Sequence, residues 1–219
     1  MRGLPLAASH APLRQLLVIG AHSDDAEIGC GGTVLRLVAE NPGVAVTWVV
    51  LAAAGEREAE ARASAEALLA DAAEARVIVG GLRDGFLPYL GPVTKDFFEE
   101  LKAQVDPDLV LTHQRNDLHQ DHRVACELTW NTFRDHLVLE YEIPKWDGDM
   151  GAPNVFVPLP EDLAARKVEH LMSHFASQRS KRWFTPDLFQ GLMRLRGMEC
   201  ASDTGLAEAF YARKLTLLP

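Results

Sequence analysis

His22, Asp24 and Asp25 stand together early in the chain, and His119, Asp121 and His122 form a second group far along it. A histidine and an aspartate three residues apart on a tight loop can converge on one cation, and their nitrogen and oxygen donors suit Zn²⁺. Asp24 and Asp25 are neighbours and cannot easily point the same way, so one can bind a metal while the other handles protons. Three protein ligands and a water make a catalytic zinc site, and His22, Asp25 and one histidine of the second group supply that number. Such a site activates water and polarises a carbonyl, which makes amide hydrolysis feasible without a covalent nucleophile. The reaction also needs a base and a donor for the oxyanion, roles open to Asp24 and the spare histidine. The competing reading makes Asp24 or Asp25 a helix cap and His22 an ordinary loop residue.

Both groups follow apolar runs. Leu16 to Ile19 reads as a buried strand ended by Gly20, and Gly29, Gly31 and Gly32 lead into a helical pattern at 34–39. Val44 to Leu51 is a second strand, Glu56 to Ala75 an alanine-rich helix, and Arg76 to Val79 a third strand. Residues 82–92 read as a connection with a brief extended piece. Thr94 to Val105 follows as a helix capped by Thr94, then Asp108 to Thr112 as a fourth strand. His113 to Val124 comes directly after that strand, and the pattern turns helical over 120–134. Leu137 to Ile143 is a fifth strand and 144–151 a loop. Val155 to Val157 is extended, Glu161 to Ser173 helical, and Thr185–Pro186 opens a helix stopped by Gly197. Ala207 to Leu217 suits a helix or a last strand.

Strands alternating with helices at this spacing predict right-handed crossovers, hence an α/β, Rossmann-like three-layer sandwich with a mostly parallel sheet. Open sheets of this kind keep their ligands at the carboxyl ends of the strands, where both polar groups fall.

The chain of 219 residues is 47% hydrophobic and carries a net charge of −9 without a Lys/Arg-rich run. This suits one domain over 1–219, with 144–219 as a C-terminal region that shapes the substrate site or an oligomer contact. The charge argues against nucleic acid or an anionic membrane surface as partner and favours a small molecule. Three widely spaced cysteines without a Cys-x-x-Cys pair predict a reducing, cytoplasmic setting. The first ten residues lack the apolar core of a signal peptide, and the longest apolar stretch, 44–54, is too short for membrane insertion.

Ala21-His22-Ser23-Asp24-Asp25 with Gly31-Gly32 behind it, and His119-Gln120-Asp121-His122 with Val124, resemble the two motifs of the LmbE-like, or PIG-L, family of zinc-dependent N-acetylglucosaminyl deacetylases. The resemblance covers mainly residues 13–143. It implies that His22, Asp25 and His122 bind Zn²⁺ and that Asp24 is the general base. His119 would stabilise or protonate the tetrahedral intermediate, and Asp121 would orient a histidine. The implied substrate is an amino sugar or N-acetylglucosaminyl conjugate, and the likeness hints at a homo-oligomer. Ser23 stands where the family has proline, and Ala26 where it has glutamate, with Glu27 one place later.

Arg57 and Arg115 are candidates to hold hydroxyls or a phosphate, or else ordinary surface ion-pair residues. Tyr141, Glu142, Lys145 and Trp146, after the fifth strand, are candidate walls of a sugar pocket, although Trp146 reads rather better as core or interface. Cys30 reads as a small core residue. Arg179, Lys181, Arg182, Arg194 and Arg196 suit either an anionic part of the substrate or an oligomer contact. The rivals are a zinc amidohydrolase acting on another N-acyl molecule, an inactive binding relative, and a nucleotide-binding domain using the glycines as a phosphate cradle. Gly29-x-Gly31-Gly32 departs from the dinucleotide fingerprint, which counts against the last.

Overall fold

The computed structural model describes residues 12–216, so the reading of the first ten residues and of Leu217 lies outside the described part. β1 (Gln15–Gly20) is the hub. Its apolar residues are buried on both faces, as a central strand of a parallel sheet requires: Leu16 and Val18 pack into one layer, Leu17 and Ile19 into the other. β1 pairs in parallel with β2 (Ala45–Val50) on one side and β4 (Leu109–His113) on the other. β3 (Glu74–Val79) adds to β2 and β5 (Leu137–Tyr141) to β4, both in parallel. β7 (Ala207–Tyr211) then pairs antiparallel with β5 and with the edge strand β6 (Val155–Pro158), giving the order β3-β2-β1-β4-β5-β7-β6. The α/β class and the mostly parallel sheet hold, and the tail resolves as a strand.

The helices are α1 (Asp25–Glu40), α2 (Glu56–Leu68), α3 (Gly91–Lys102), α4 (Gln120–Thr132), α5 (Glu161–His174) and α6 (Pro186–Glu199). Val34, Ala61, Leu171 and Met193 from α1, α2, α5 and α6 fill one face of the sheet; Phe98 and Ala125 from α3 and α4 fill the other. Strand order reverses between β1 and β4, the switch point at which open α/β sheets leave a crevice.

Several boundaries differ from the sequence pattern for local reasons. α1 starts at Asp25, so its glycines lie inside the helix. A Cβ at Gly29 would sit 2.2 Å from the Tyr141 ring, so this glycine lets α1 press against β5 and is no phosphate cradle. α2 stops at Leu68, and the chain turns before β3 begins at Glu74. Residues 82–92 hold a 3₁₀ turn, Leu87–Tyr89, in place of an extended piece. α3 opens at Gly91-Pro92, and Thr94 does not cap it: its hydroxyl donates back to Leu90 O at 3.0 Å. α6 runs through Gly197 to Glu199, where an added Cβ would meet the Gly205 carbonyl at 2.2 Å.

Candidate active site

Gly20 ends β1, and residues 21–24 turn directly into α1. The turn is held by the His22 N–H, which donates to Asp25 Oδ2 at 2.7 Å, and by the Ile28 N–H, which donates to Asp24 O at 3.0 Å. Asp24 occupies the N-cap position, yet its side chain makes no capping hydrogen bond. Its carboxylate is left for other work.

The second group arrives from β4 and α4. His122 lies in the first turn of α4, and His22 Nδ1, Asp25 Oδ2 and His122 Nε2 form a triangle with edges of 3.2, 3.3 and 3.2 Å. Donors about 2.0–2.1 Å from a tetrahedral zinc are about 3.3 Å from one another, so the three atoms already have the spacing of a ligand set. Each imidazole has its other nitrogen tied to carboxylates. His22 Nε2 is 3.2 Å from Asp121 Oδ2 and 3.1 Å from Asp84 Oδ1, and His122 Nδ1 is 2.9 Å from Asp117 Oδ2. Donating there leaves His22 Nδ1 and His122 Nε2 as lone pairs facing Asp25, an outer-shell arrangement suited to a metal site. Asp121 is itself fixed by the N–H groups of Gly85 and Leu87.

Two other donor groupings lie close enough to hold a cation, His22–His119–His122 and Asp25–His113–His122; a third pairs His22 with Asp84 and Asp121. Hydrogen bonding argues against them. His113 Nε2 accepts the Ala21 N–H at 2.9 Å, His119 Nδ1 accepts the Asp121 N–H at 3.2 Å, and both oxygens of Asp121 already accept backbone N–H groups. Buried His113 instead stacks on His122, with ring centroids 4.0 Å apart.

The electrostatics suit a cation. Burial disfavours the charged form of His122, but Asp25 and the bond to Asp117 outweigh it and raise its pKa to about 8; the same balance, with Asp25 foremost among the raising partners, lifts His22 well above its ordinary value. A field that favours positive charge at these nitrogens also favours a divalent ion there. Burial and His122 push His113 down to about 4, and burial with the nearby imidazoles also lowers His119. Asp24 goes the other way: burial and the adjacent Asp25 charge raise its carboxyl, against the pull of Arg57 and Lys181.

A cavity of about 180 Å³ opens above the triangle, lined among others by Asp24, Arg57, Asp84, His119, Trp146 and Trp183. A larger cleft of about 480 Å³ lies beside Phe156 and Ser202 at the far edge, lined by none of the clustered histidines and aspartates. Of the residues the sequence singles out, His22, Asp24, Asp25, Arg57, His119 and His122 meet at the smaller cavity, with Asp121 beneath. Arg57 enters from the start of α2, where Nε donates to Ser23 Oγ at 3.1 Å and Nη2 lies 3.5 Å from Asp24 Oδ1.

Arg115, Tyr141 and Glu142 do not reach the cavity. Arg115 is exposed, and only its backbone N–H is engaged, by Glu140. Tyr141 is fully buried and donates its hydroxyl to Ile19 O at 2.6 Å. Glu142 is buried in a two-pronged pair with Arg196, both contacts at 2.7 Å. Side chains alternate along β5 and its extension, and these two were turned into packed layers and not towards the rim. Trp146, by contrast, is neither core nor interior: it is 70% exposed at the cavity mouth. The basic residues of 179–196 also part company, Lys181 lining the cavity and Arg196 buried against Glu142. Glu27 does not turn to the triangle; its carboxyl accepts from Ser64 Oγ at 2.5 Å.

Asp84, Asp117, His113 and Trp183 are site residues that the spacing of the motifs did not reveal. The one available signal was chemical: a histidine that binds a metal needs a partner for its other nitrogen, and Asp117 lies between the fourth strand and His122.

The family model described as PIG-L: GlcNAc-PI de-N-acetylase matches residues 17–133. No curated protein matches the chain. Among solved structures it is similar to a conserved protein from Thermus thermophilus, with a TM-score of 0.72 and 23% identity over 93% of this chain and 96% of that one. It is also similar to N,N'-diacetylchitobiose deacetylase from Pyrococcus horikoshii, with a TM-score of 0.69 and 21% identity over 91% and 84%. A third is 4-carboxy-2-hydroxymuconate hydratase from Pseudomonas putida, with a TM-score of 0.70 and 18% identity over 94% and 99%. At these identities the likeness is one of fold, and a fold shared by a deacetylase and a hydratase leaves the reaction to the site.

Proposed function

Since the chain belongs to the PIG-L family, whose model spans more than half of it, we propose that it is a zinc-dependent N-deacetylase that releases acetate from an amino sugar or N-acetylglucosaminyl conjugate. The observation that carries this reading is the triangle of His22 Nδ1, Asp25 Oδ2 and His122 Nε2, with its 3.2–3.3 Å edges. These three residues hold the metal, which when bound lowers the pKa of water and polarises the amide carbonyl. Asp24, 4% exposed and uncommitted to the helix, takes the proton of the attacking water. Its raised pKa suits it to pass that proton to the leaving nitrogen as the C–N bond breaks. His119, its Nδ1 occupied by the Asp121 N–H, is a neutral ring whose Nε2–H donates to the oxyanion. Arg57 and Asp84, paired at the cavity wall, present donors and acceptors together, as vicinal sugar hydroxyls require. Three free, buried cysteines support a reducing, cytoplasmic setting.

The test joins metal analysis to two variants and a substrate panel. Asp24→Asn keeps its metal and loses about 10²–10⁴-fold in kcat; His22→Ala loses both metal and turnover. The panel contains glycosides of N-acetylglucosamine and N-acetyl amino acids, and preference for the latter would move the chain to a different N-acyl substrate. Full activity in Asp24→Asn removes the base assignment.

A further inference from the structure

We propose that Trp146 and Trp183 form a subsite for the group attached to C1 of the sugar, and that this group is flat and apolar or aromatic. The proposal rests on the deacetylase reading of the same cavity and follows from the order of the strands. The triangle is built from β1 and from α4, which follows β4, at the centre of the sheet. Arg57 comes from the start of α2, which follows β2, and Asp84 from the loop after β3, on one side of that centre. Trp146 follows β5, on the other side, and Trp183 precedes α6. The cavity therefore has a hydroxyl-binding wall on one side of the metal ligands and Trp146 on the other, with Trp183 also in its lining.

An N-acetylhexosamine has the same layout. Its amide is on C2, flanked by the C3 and C4 hydroxyls on one side and C1 on the other. With the amide over the triangle and the hydroxyls on Arg57 and Asp84, the C1 substituent extends towards Trp146. A cavity of about 180 Å³ takes roughly one such ring, so the substituent emerges at the mouth, where Trp146 is 70% exposed. An indole is a rigid apolar plane, and covering it with a flat apolar group is favourable without ordering a long side chain. Of the charges in the lining, Lys145 is committed to Asp117 at 3.0 Å and Asp149 at 2.5 Å, and the Lys181 ammonium lies 5.6 Å from the centre of the Trp183 ring.

Binding of the amine products tests this without turnover. By calorimetry on the purified, metal-replete protein, phenyl β-glucosaminide is expected to bind about tenfold more tightly than methyl β-glucosaminide, the worth of one stacked aromatic pair. Trp146→Ala, at an exposed position that does not support the fold, should erase the difference and leave the methyl glycoside within about twofold; Trp146→Phe should retain most of it. Equal affinities in the parent protein, a difference that survives Trp146→Ala, a glucosaminyl disaccharide binding as tightly as the phenyl glycoside, or no binding of either glycoside would each overturn the proposal. The two readings fail separately. A Trp146-dependent gap with no deacetylation of the corresponding N-acetyl glycosides refutes the reaction and keeps the subsite, whereas deacetylation without the gap refutes the subsite alone.

Discussion

Asp117→Asn is the sharpest probe of the proposed metal site. Asp117 is fully buried, and both its oxygens are spoken for. Oδ2 faces His122 Nδ1 at 2.9 Å, while Oδ1 accepts the His119 N–H at 2.8 Å and lies 3.0 Å from Lys145 Nζ. Every partner presents a hydrogen; burial opposes ionisation, but the bond to His122 and the charges of His122, His113 and Lys145 hold the carboxyl well below its ordinary range. An asparagine is the same size but carries two N–H donors at one end. If the amide nitrogen faces His122, the imidazole must move its proton to Nε2, the atom aimed at Asp25. If it faces the other way, it meets the His119 N–H and the Lys145 ammonium. Either orientation sets donor against donor, at about 1–3 kcal/mol. Where the cost falls on the His122 tautomer it weakens metal binding, and loss of such an outer partner is worth about 10–100-fold in affinity. The assay is zinc affinity by chelator competition, with circular dichroism as the control for folding. A folded Asp117→Asn protein that binds zinc as tightly as the parent would refute the assignment of His122 Nε2 as a ligand through this carboxylate.

Two further substitutions separate packing from chemistry. Gly29→Ala places a methyl 2.2 Å from the Tyr141 ring and should lower stability by about 1–3 kcal/mol, read as a fall in Tm; an unchanged Tm would show that α1 does not press on β5 as described. Tyr141→Phe removes the hydroxyl that donates to Ile19 O and should cost about 1 kcal/mol of stability while leaving KM unchanged, whereas a raised KM would return Tyr141 to the substrate site.

Periodicity and turn chemistry made the layers legible, because a buried parallel strand such as Leu16 to Ile19 and its terminating glycine are local features. The fold class, the position of β1 and β4, and the two polar groups at strand ends could all be read without coordinates. Helix limits could not. Gly29 and Gly197 look like breakers in one dimension, but each sits inside a helix with another segment too close for a Cβ: Tyr141, distant in sequence, at Gly29, and the returning chain at Gly205 for Gly197.

The sequence by itself determined which residue types stand ready at strand ends, since a histidine beside two aspartates after an apolar run is a statement about neighbours in the chain. Only the tertiary structure decided which nitrogen of each imidazole faces Asp25, because Asp117 and Asp121 choose it by accepting the other proton. The same holds for the walls of the cavity. Tyr141 and Glu142 were drawn inward by an Ile19 carbonyl and an Arg196 guanidinium, partners far away in sequence, while Asp84 and Trp183 were brought to the rim by the order of the strands and helices. Contacts of that kind depend on the register of packed layers, and no spacing within one segment encodes them.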